Sequence, residues 1–157
     1  RVESEVKRRK QVLVLGDVNT AHHPIDLARP KDNEDISGFL PIERAWMDRF
    51  EQAGFVDTFR ILHPDEPDQY SWWSQRSGAR KRNVGWRIDY CFCSENLKKD
   101  ICDAFIMPTV MGSDHCPVGV TLKINSLKLS EVGLLSTLDQ EALAGVRSQN
   151  ELFHHLH

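Results

Sequence analysis

The sequence has no apolar run of membrane-spanning length, and its charged opening, residues 1–10, leads into no signal-type segment. Neither a membrane-spanning nor an exported chain is expected. It has only four cysteines, Cys91, Cys93, Cys102 and Cys116, none in C-x-x-C spacing and most inside apolar segments. Cysteines so placed behave as small hydrophobes, which fits a reducing, cytoplasmic setting. It has no excess of basic charge: 20 Lys and Arg against 23 Asp and Glu give a net charge of -3. Any contact with a polyanion must therefore come from a local patch. Extremes of composition are missing too, because 40% hydrophobic and 27% charged residues over 157 positions suit one globular domain with a core.

What is there begins with Val12-Leu13-Val14-Leu15-Gly16-Asp17-Val18-Asn19, a buried-strand pattern ending in a glycine exit. If the extended geometry continues, Asp17 and Asn19 project to one side, where a metal or a water could touch both. The alternative is an Asx turn, in which the two side chains only bond nearby amides. Residues 20–39 carry Pro24, Pro30, Gly38 and several Asp and Asn with no sustained period, and form a long loop. Pro41 opens a helix whose apolar stripe is Ile42, Ala45, Trp46, Arg49, Phe50 and Ala53, stopped at Gly54. Trp46 is read there as a core residue. Residues 55–62 are a short strand or helical turn, followed by a surface turn.

Residues 70–74 are strand-like, and the connection after them, residues 75–83, carries Arg76, Arg80, Lys81 and Arg82 between aromatic flanks. It is either a solvated loop or a nucleic-acid contact. Residues 86–93 alternate cleanly, with Ile88, Tyr90 and Phe92 on one face and Asp89, Cys91 and Cys93 on the other. Asp89 then needs a partner, because an unpaired buried charge costs several kcal/mol. The candidate is His115 in Gly112-Ser113-Asp114-His115, which lies between strands expected at residues 104–110 and 118–124. Beyond residue 125 the chain reads as an appendage, helical through Leu134, Leu135, Leu138, Ala142, Leu143 and Val146, or else unstructured. Its closing His154-His155-Leu156-His157 is too irregular to argue for a metal site.

Taken together, Gly16-Asp17-Val18-Asn19-Thr20-Ala21-His22, Ile25-Asp26-Leu27-Ala28-Arg29-Pro30-Lys31, Ser37-Gly38-Phe39 with Glu43-Arg44-Ala45-Trp46, Gly54-Phe55-Val56-Asp57-Thr58-Phe59-Arg60, Asn83-Val84-Gly85-Trp86-Arg87-Ile88-Asp89-Tyr90 and Gly112-Ser113-Asp114-His115-Cys116-Pro117 resemble the exodeoxyribonuclease III family of apurinic/apyrimidinic endonucleases. The resemblance implies an α/β fold that is part of a four-layer sandwich, two packed mixed sheets flanked by helices. Residues 1–124 would be the C-terminal portion of that domain and residues 125–157 a tail. It implies a Mg²⁺-dependent DNA phosphodiesterase of base-excision repair, with Mn²⁺ as an alternative ion. Such an enzyme cuts 5′ of abasic sites in double-stranded DNA, often trims blocked 3′ ends, and works in the cytoplasm on the nucleoid.

By motif match Asp17 resembles the base that activates water and Asn19 the group that orients it. Asp17, Asn19, Asp114 and His115 match positions around the metal, and Asp89 matches the carboxylate that holds the His115 imidazole. Trp86 resembles the wall of the pocket for the extruded sugar, and Asn33, Arg76, Arg80 and Lys81 fall in DNA-contacting segments. A phosphodiester attacked by water requires a base, positive charge on the phosphate and help for the leaving oxygen, so these residue types suit the chemistry.

Against the family pattern, Arg29 and Ile36 stand where many members carry asparagine, and no stretch resembles the family's N-terminal half, which supplies the main metal carboxylate. The chain is therefore expected to hold only part of each site. The alternative is a non-catalytic DNA-binding or partner-binding fragment; a phosphoinositide phosphatase of the same superfamily is disfavoured by the aromatic-basic stretch at residues 72–86.

Overall fold

The computed structural model describes residues 11–123 and the backbone of residues 132–134. The apolar opening forms β1 (Gln11–Asp17), and the alternating stretch forms β5 (Asp89–Ser94). These are the central antiparallel pair of a four-stranded sheet, in which β2 (Phe55–Asp57) borders β5 and β8 (Val132–Leu134) runs parallel to β1, giving the order β2-β5-β1-β8. Two ribbons flank it: β3 (Trp72–Trp73) with β4 (Gly85–Trp86), and β6 (Ile101–Ile106) with β7 (Val118–Leu122).

Helix α1 (Pro41–Gln52) follows the rules read from sequence, with proline at the first position and Glu43 at the third. The Glu43 carboxylate accepts from the amides of Leu40 and Gly38 and from the Ser37 hydroxyl, tying the helix start to the preceding loop. One face of the sheet packs on α1 through Val12, Met47, Phe55, Tyr90 and Phe92, with Phe50 stacked on Phe55. The other face, Leu13 and Cys93 with Leu97, meets the β6–β7 ribbon at Ile101, Val120 and Leu122. Helix, sheet and second sheet are thus stacked in the order that the α/β sandwich requires.

Several expectations need correction. The apolar stripe of α1 is not uniformly buried: Met47 is its core residue, whereas Ile42 is 73% and Trp46 48% exposed. Trp46 instead stacks on Phe50 at the rim, because the helix turns this edge of its stripe away from the sheet. Residues 55–62 are both alternatives at once, β2 followed by α2 (Thr58–Leu62). The Asp57 side chain between them accepts from the amides of Phe59 and Arg60 as the helix cap. The strand expected at 104–110 is β6, which starts at Ile101 and ends before Pro108. Within the supposed helical tail, Val132–Leu134 is a strand, so Leu134 belongs to no helix; the remainder of that reading lies outside the described residues.

The long loop is anchored. Ala21, His22, Asp26, Leu27 and Phe39 are buried, and short 3-10 turns occur at Pro24–Asp26 and Pro30–Asp32. His22 packs beneath α1 with its Nε2 2.7 Å from Asp48 Oδ1, and its carbonyl accepts from Arg44 Nε. A buried ionic network joins the loop to the sheet. Arg87 donates to Asp26 Oδ1 at 2.9 Å and to Asp57 Oδ2 at 2.7 Å, and Arg60 donates to the same Asp26 oxygen through Nε and Nη2.

Gly85 marks the closest approach in the β3–β4 ribbon. A Cβ there would lie 2.5 Å from Trp73 Nε1 and 2.8 Å from the Trp72 carbonyl oxygen. Gly85→Ala is therefore expected to lower stability by about 1–3 kcal/mol, the usual range for overpacking. A urea unfolding midpoint would check it, and an unchanged midpoint would mean that the ribbon yields freely.

Candidate active site

The register of β1 and β5 decides the centre of the site. Asp17 and Asp89 are direct cross-strand partners at the end of the antiparallel pair. The strand does not stay extended to Asn19, as one sequence reading required: β1 ends at Asp17 and Asn19 adopts a left-handed backbone, φ 55°. The Asx turn is formed, with the Asn19 amide donating to Asp17 Oδ1 at 2.8 Å. That turn does not exclude a functional role, since it uses one carboxylate oxygen of Asp17, the other meets no hydrogen-bond donor among the described residues, and Asn19 lines the adjoining cleft.

His115 comes to this centre from the β6–β7 connection. Residues 114–116 pair with β3: the Trp73 amide donates to the Asp114 carbonyl, the Cys116 amide to the Ser71 carbonyl, and Trp72 and His115 form a bridge. His115 Nδ1 donates to Asp89 Oδ2 at 2.9 Å, which supplies the partner that the sequence demanded for this carboxylate. Behind it, the Ser71 hydroxyl oxygen accepts from the amides of Ile88 and Asp89 and fixes the start of β5. Burial opposes charge on His115, but the hydrogen bond and charge of Asp89, with Asp17 and Asp114 adding to it, hold its pKa above the ordinary value.

Among the described residues, Asp17, Asp89 and His115 form a cluster with one ligand atom from each within 4.8 Å of the others. The two carboxylates suit a hard divalent cation, whereas the imidazole has its Nδ1 committed to Asp89. Asp114 is not in that cluster. Its Oδ2 accepts from the Trp72 indole nitrogen at 3.1 Å and its Oδ1 from the Ser113 hydroxyl; the indole first, then its own backbone amide, hold its pKa below the ordinary value.

Beside the cluster lies a cleft of about 590 Å³, lined among others by Asn19, Asn33, Trp72, Arg76, Trp86 and His115. Trp86 is held from three sides: it pairs with Trp72, bridges Leu27, and backs onto Gly38, where a Cβ would stand 3.1 Å from its ring. Asn33 spends its amide group on the carbonyls of Ala28 and Arg29, so it shapes the loop as well as lining the cleft.

The basic residues separate. Arg76, Arg82 and Arg29 line the cleft, Lys81 is exposed outside it, and Arg80 is turned onto backbone carbonyls. Sequence reasoning missed the roles of Trp72 and Ser71, because a two-residue strand is too short for alternation to assign faces.

Comparison with known proteins agrees with this architecture. The endonuclease/exonuclease/phosphatase family profile matches residues 2–115. The chain belongs to that family. Over 120 residues, 76% of the chain, it is 53% identical to the exodeoxyribonuclease of Bacillus subtilis strain 168, and spans 48% of that protein. It is 45% identical over 116 residues to the DNA repair nuclease APEX1 of Danio rerio, covering 74% of this chain and 37% of that protein. The chain thus spans about half or less of the length of these relatives. An AP endonuclease from Leishmania major superposes with a TM-score of 0.68 at 40% identity, covering 72% of this chain and 35% of that one. A 3′-5′ exonuclease from Neisseria meningitidis gives 0.74 at 26% identity, covering 78% and 49%. Family membership and the α/β sandwich architecture therefore stand together. Among the described residues no helix is long and apolar enough to cross a membrane.

Proposed function

We propose that this chain carries the C-terminal part of the active site of a Mg²⁺-dependent DNA phosphodiesterase that cuts on the 5′ side of abasic sites. The observation that supports this most is the clustering of Asp17, Asp89 and His115 at the mouth of a cleft that is both aromatic and basic. Asp17 accepts the proton of the attacking water through the oxygen not held by the Asn19 amide. Asn19 orients that water. His115, whose charged form Asp89 favours, faces the phosphate with its Nε2. Asp114, bonded to Trp72, adds negative charge behind the imidazole. Asp17, Asn19 and Asp89 would hold Mg²⁺, or Mn²⁺ in its place, which when bound supplies positive charge against the phosphate oxygens.

Trp86 and Trp72 wall the cleft that receives the extruded abasic sugar, whose removal from the stack costs less than flipping a paired base. Arg76 and Arg82 meet the phosphates flanking it. The test is nicking of a duplex with one synthetic abasic site, in Mg²⁺ or EDTA, by this chain and by Asp17→Asn. Any nicking seen is expected to need the metal and to disappear in the variant. Nicking indifferent to EDTA or to the substitution would overturn the site. Retention of the duplex without nicking, persisting when the N-terminal half of a relative is supplied, would favour the second reading, a non-catalytic DNA-binding fragment.

A further inference from the structure

Arg80 stands in a segment expected to meet phosphate, yet its guanidinium is already occupied. Nη1 donates to the Ser113 carbonyl at 2.8 Å, and Nη2 donates to the carbonyls of Pro108 and Val110 at 2.9 and 2.6 Å. Its guanidinium carbon lies over the Trp73 ring, 4.6 Å from the centroid, and its Nε is buried without a partner among the described residues. Of five N–H donors, three are used, one is shielded and one is left. The three acceptors span the arch between β6 and β7, and that arch ends in Asp114 and His115.

We propose that Arg80 is a positioning residue that clasps the arch of residues 107–115 to the β3–β4 ribbon and so sets His115 against Asp89, leaving DNA phosphates to Arg76 and Arg82. The backbone pairing of residues 114–116 with β3 fixes only the near end of the arch. Its far end is exposed and makes few bonds of its own: Met107 donates to the Pro117 carbonyl, and Val110 to the Met107 carbonyl. Among the described residues, Arg80 is the side chain whose hydrogen bonds cross from the ribbon to this outer part. A planar fork held over an indole reaches three carbonyls at once, which a lysine ammonium cannot reproduce. The consequence for the proposed nuclease is coupling: the loop carrying the cleft arginines and the arch carrying the imidazole move as one body.

The roles separate by measurement. Hydrogen exchange is followed at Met107, Val110 and His115 in the full chain and in Arg80→Ala, Arg80→Lys and Arg82→Ala, beside the salt dependence of binding to an abasic duplex. In Arg80→Ala the arch amides should exchange about tenfold faster or more while β5 and α1 keep their protection. Arg80→Lys should restore only part of this, and the salt slope should not change. Arg82→Ala should flatten the slope by about one and leave exchange alone. Unchanged arch exchange in Arg80→Ala, or a slope that falls as it does in Arg82→Ala, overturns the clasp. This inference rests on the proposed DNA reading only for the coupling: a chain that binds no duplex would sink that reading, while the exchange data would still decide the clasp.

Discussion

Arg87→Met should destabilise the chain by about 3–5 kcal/mol, the range for breaking a buried ion pair by removing one partner. Arg87 is 1% exposed, Asp26 0% and Asp57 4%, so neither carboxylate can turn to water when the guanidinium goes. Asp26 keeps Arg60, but Asp57 Oδ2 loses its cationic partner, and Asp57 also caps α2. Against a total stability of about 5–15 kcal/mol, this loss removes much of what holds the loop to the sheet. The measurement is the urea midpoint at constant slope. Adding Asp57→Asn to Arg87→Met should recover part of the loss, since the orphaned charge is removed while the cap is kept; no recovery would locate the effect in packing.

The same network sets an acid limit. Burial pushes the Asp26 carboxyl up, but Arg87 and Arg60 outweigh it and hold the pKa below the ordinary value. A carboxyl depressed in the folded state contributes stability that is present above its unfolded pKa and lost as pH falls through the folded one. Unfolding on acidification should therefore steepen below about pH 4, and less so in Arg87→Met.

Asp89→Asn should lower the rate of abasic-site cleavage by about 10²–10⁴-fold in a preparation that nicks, the span associated with one positioned acid or base. It removes the charge that favours the imidazolium and leaves a side chain of the same shape. The His115 pKa, raised in the native chain, should fall, so that the charged ring is lost at lower pH as pH rises. Proton-detected titration of the imidazole reads this independently of turnover. Arg76→Ala should instead weaken binding with little change in the chemical step. Equal small losses for the two substitutions would remove Asp89 from its role.

The local part of this structure was legible in the residues. Pro41 with Glu43 announces the start of α1, the alternation of residues 88–93 announces β5, and a single carboxylate on its second face demands a partner. The ordered motifs from Gly16 to Pro117 place the chain in its family. Patterns of this kind follow from backbone periods of 2 and 3.6 residues, which act within a few positions of the chain.

What the periods do not carry is which distant group meets which. Only the antiparallel register brings Asp17 beside Asp89, and it takes the pairing of residues 114–116 with β3 to carry His115 to them. Trp46 fits an apolar stripe by spacing, but the sheet covers Met47 and leaves Trp46 at the rim. Arg80 stands among three other basic residues with nothing local to set it apart; its carbonyl partners lie 28 to 33 positions away. Asp114, adjacent to His115 in sequence, is drawn off by an indole 42 positions distant. The sequence by itself determined the elements, the family and the kinds of side chain available for phosphate chemistry. The tertiary structure decided which of them converge, because side chains far apart in the chain meet only through strand register and layer packing, and no local period encodes either.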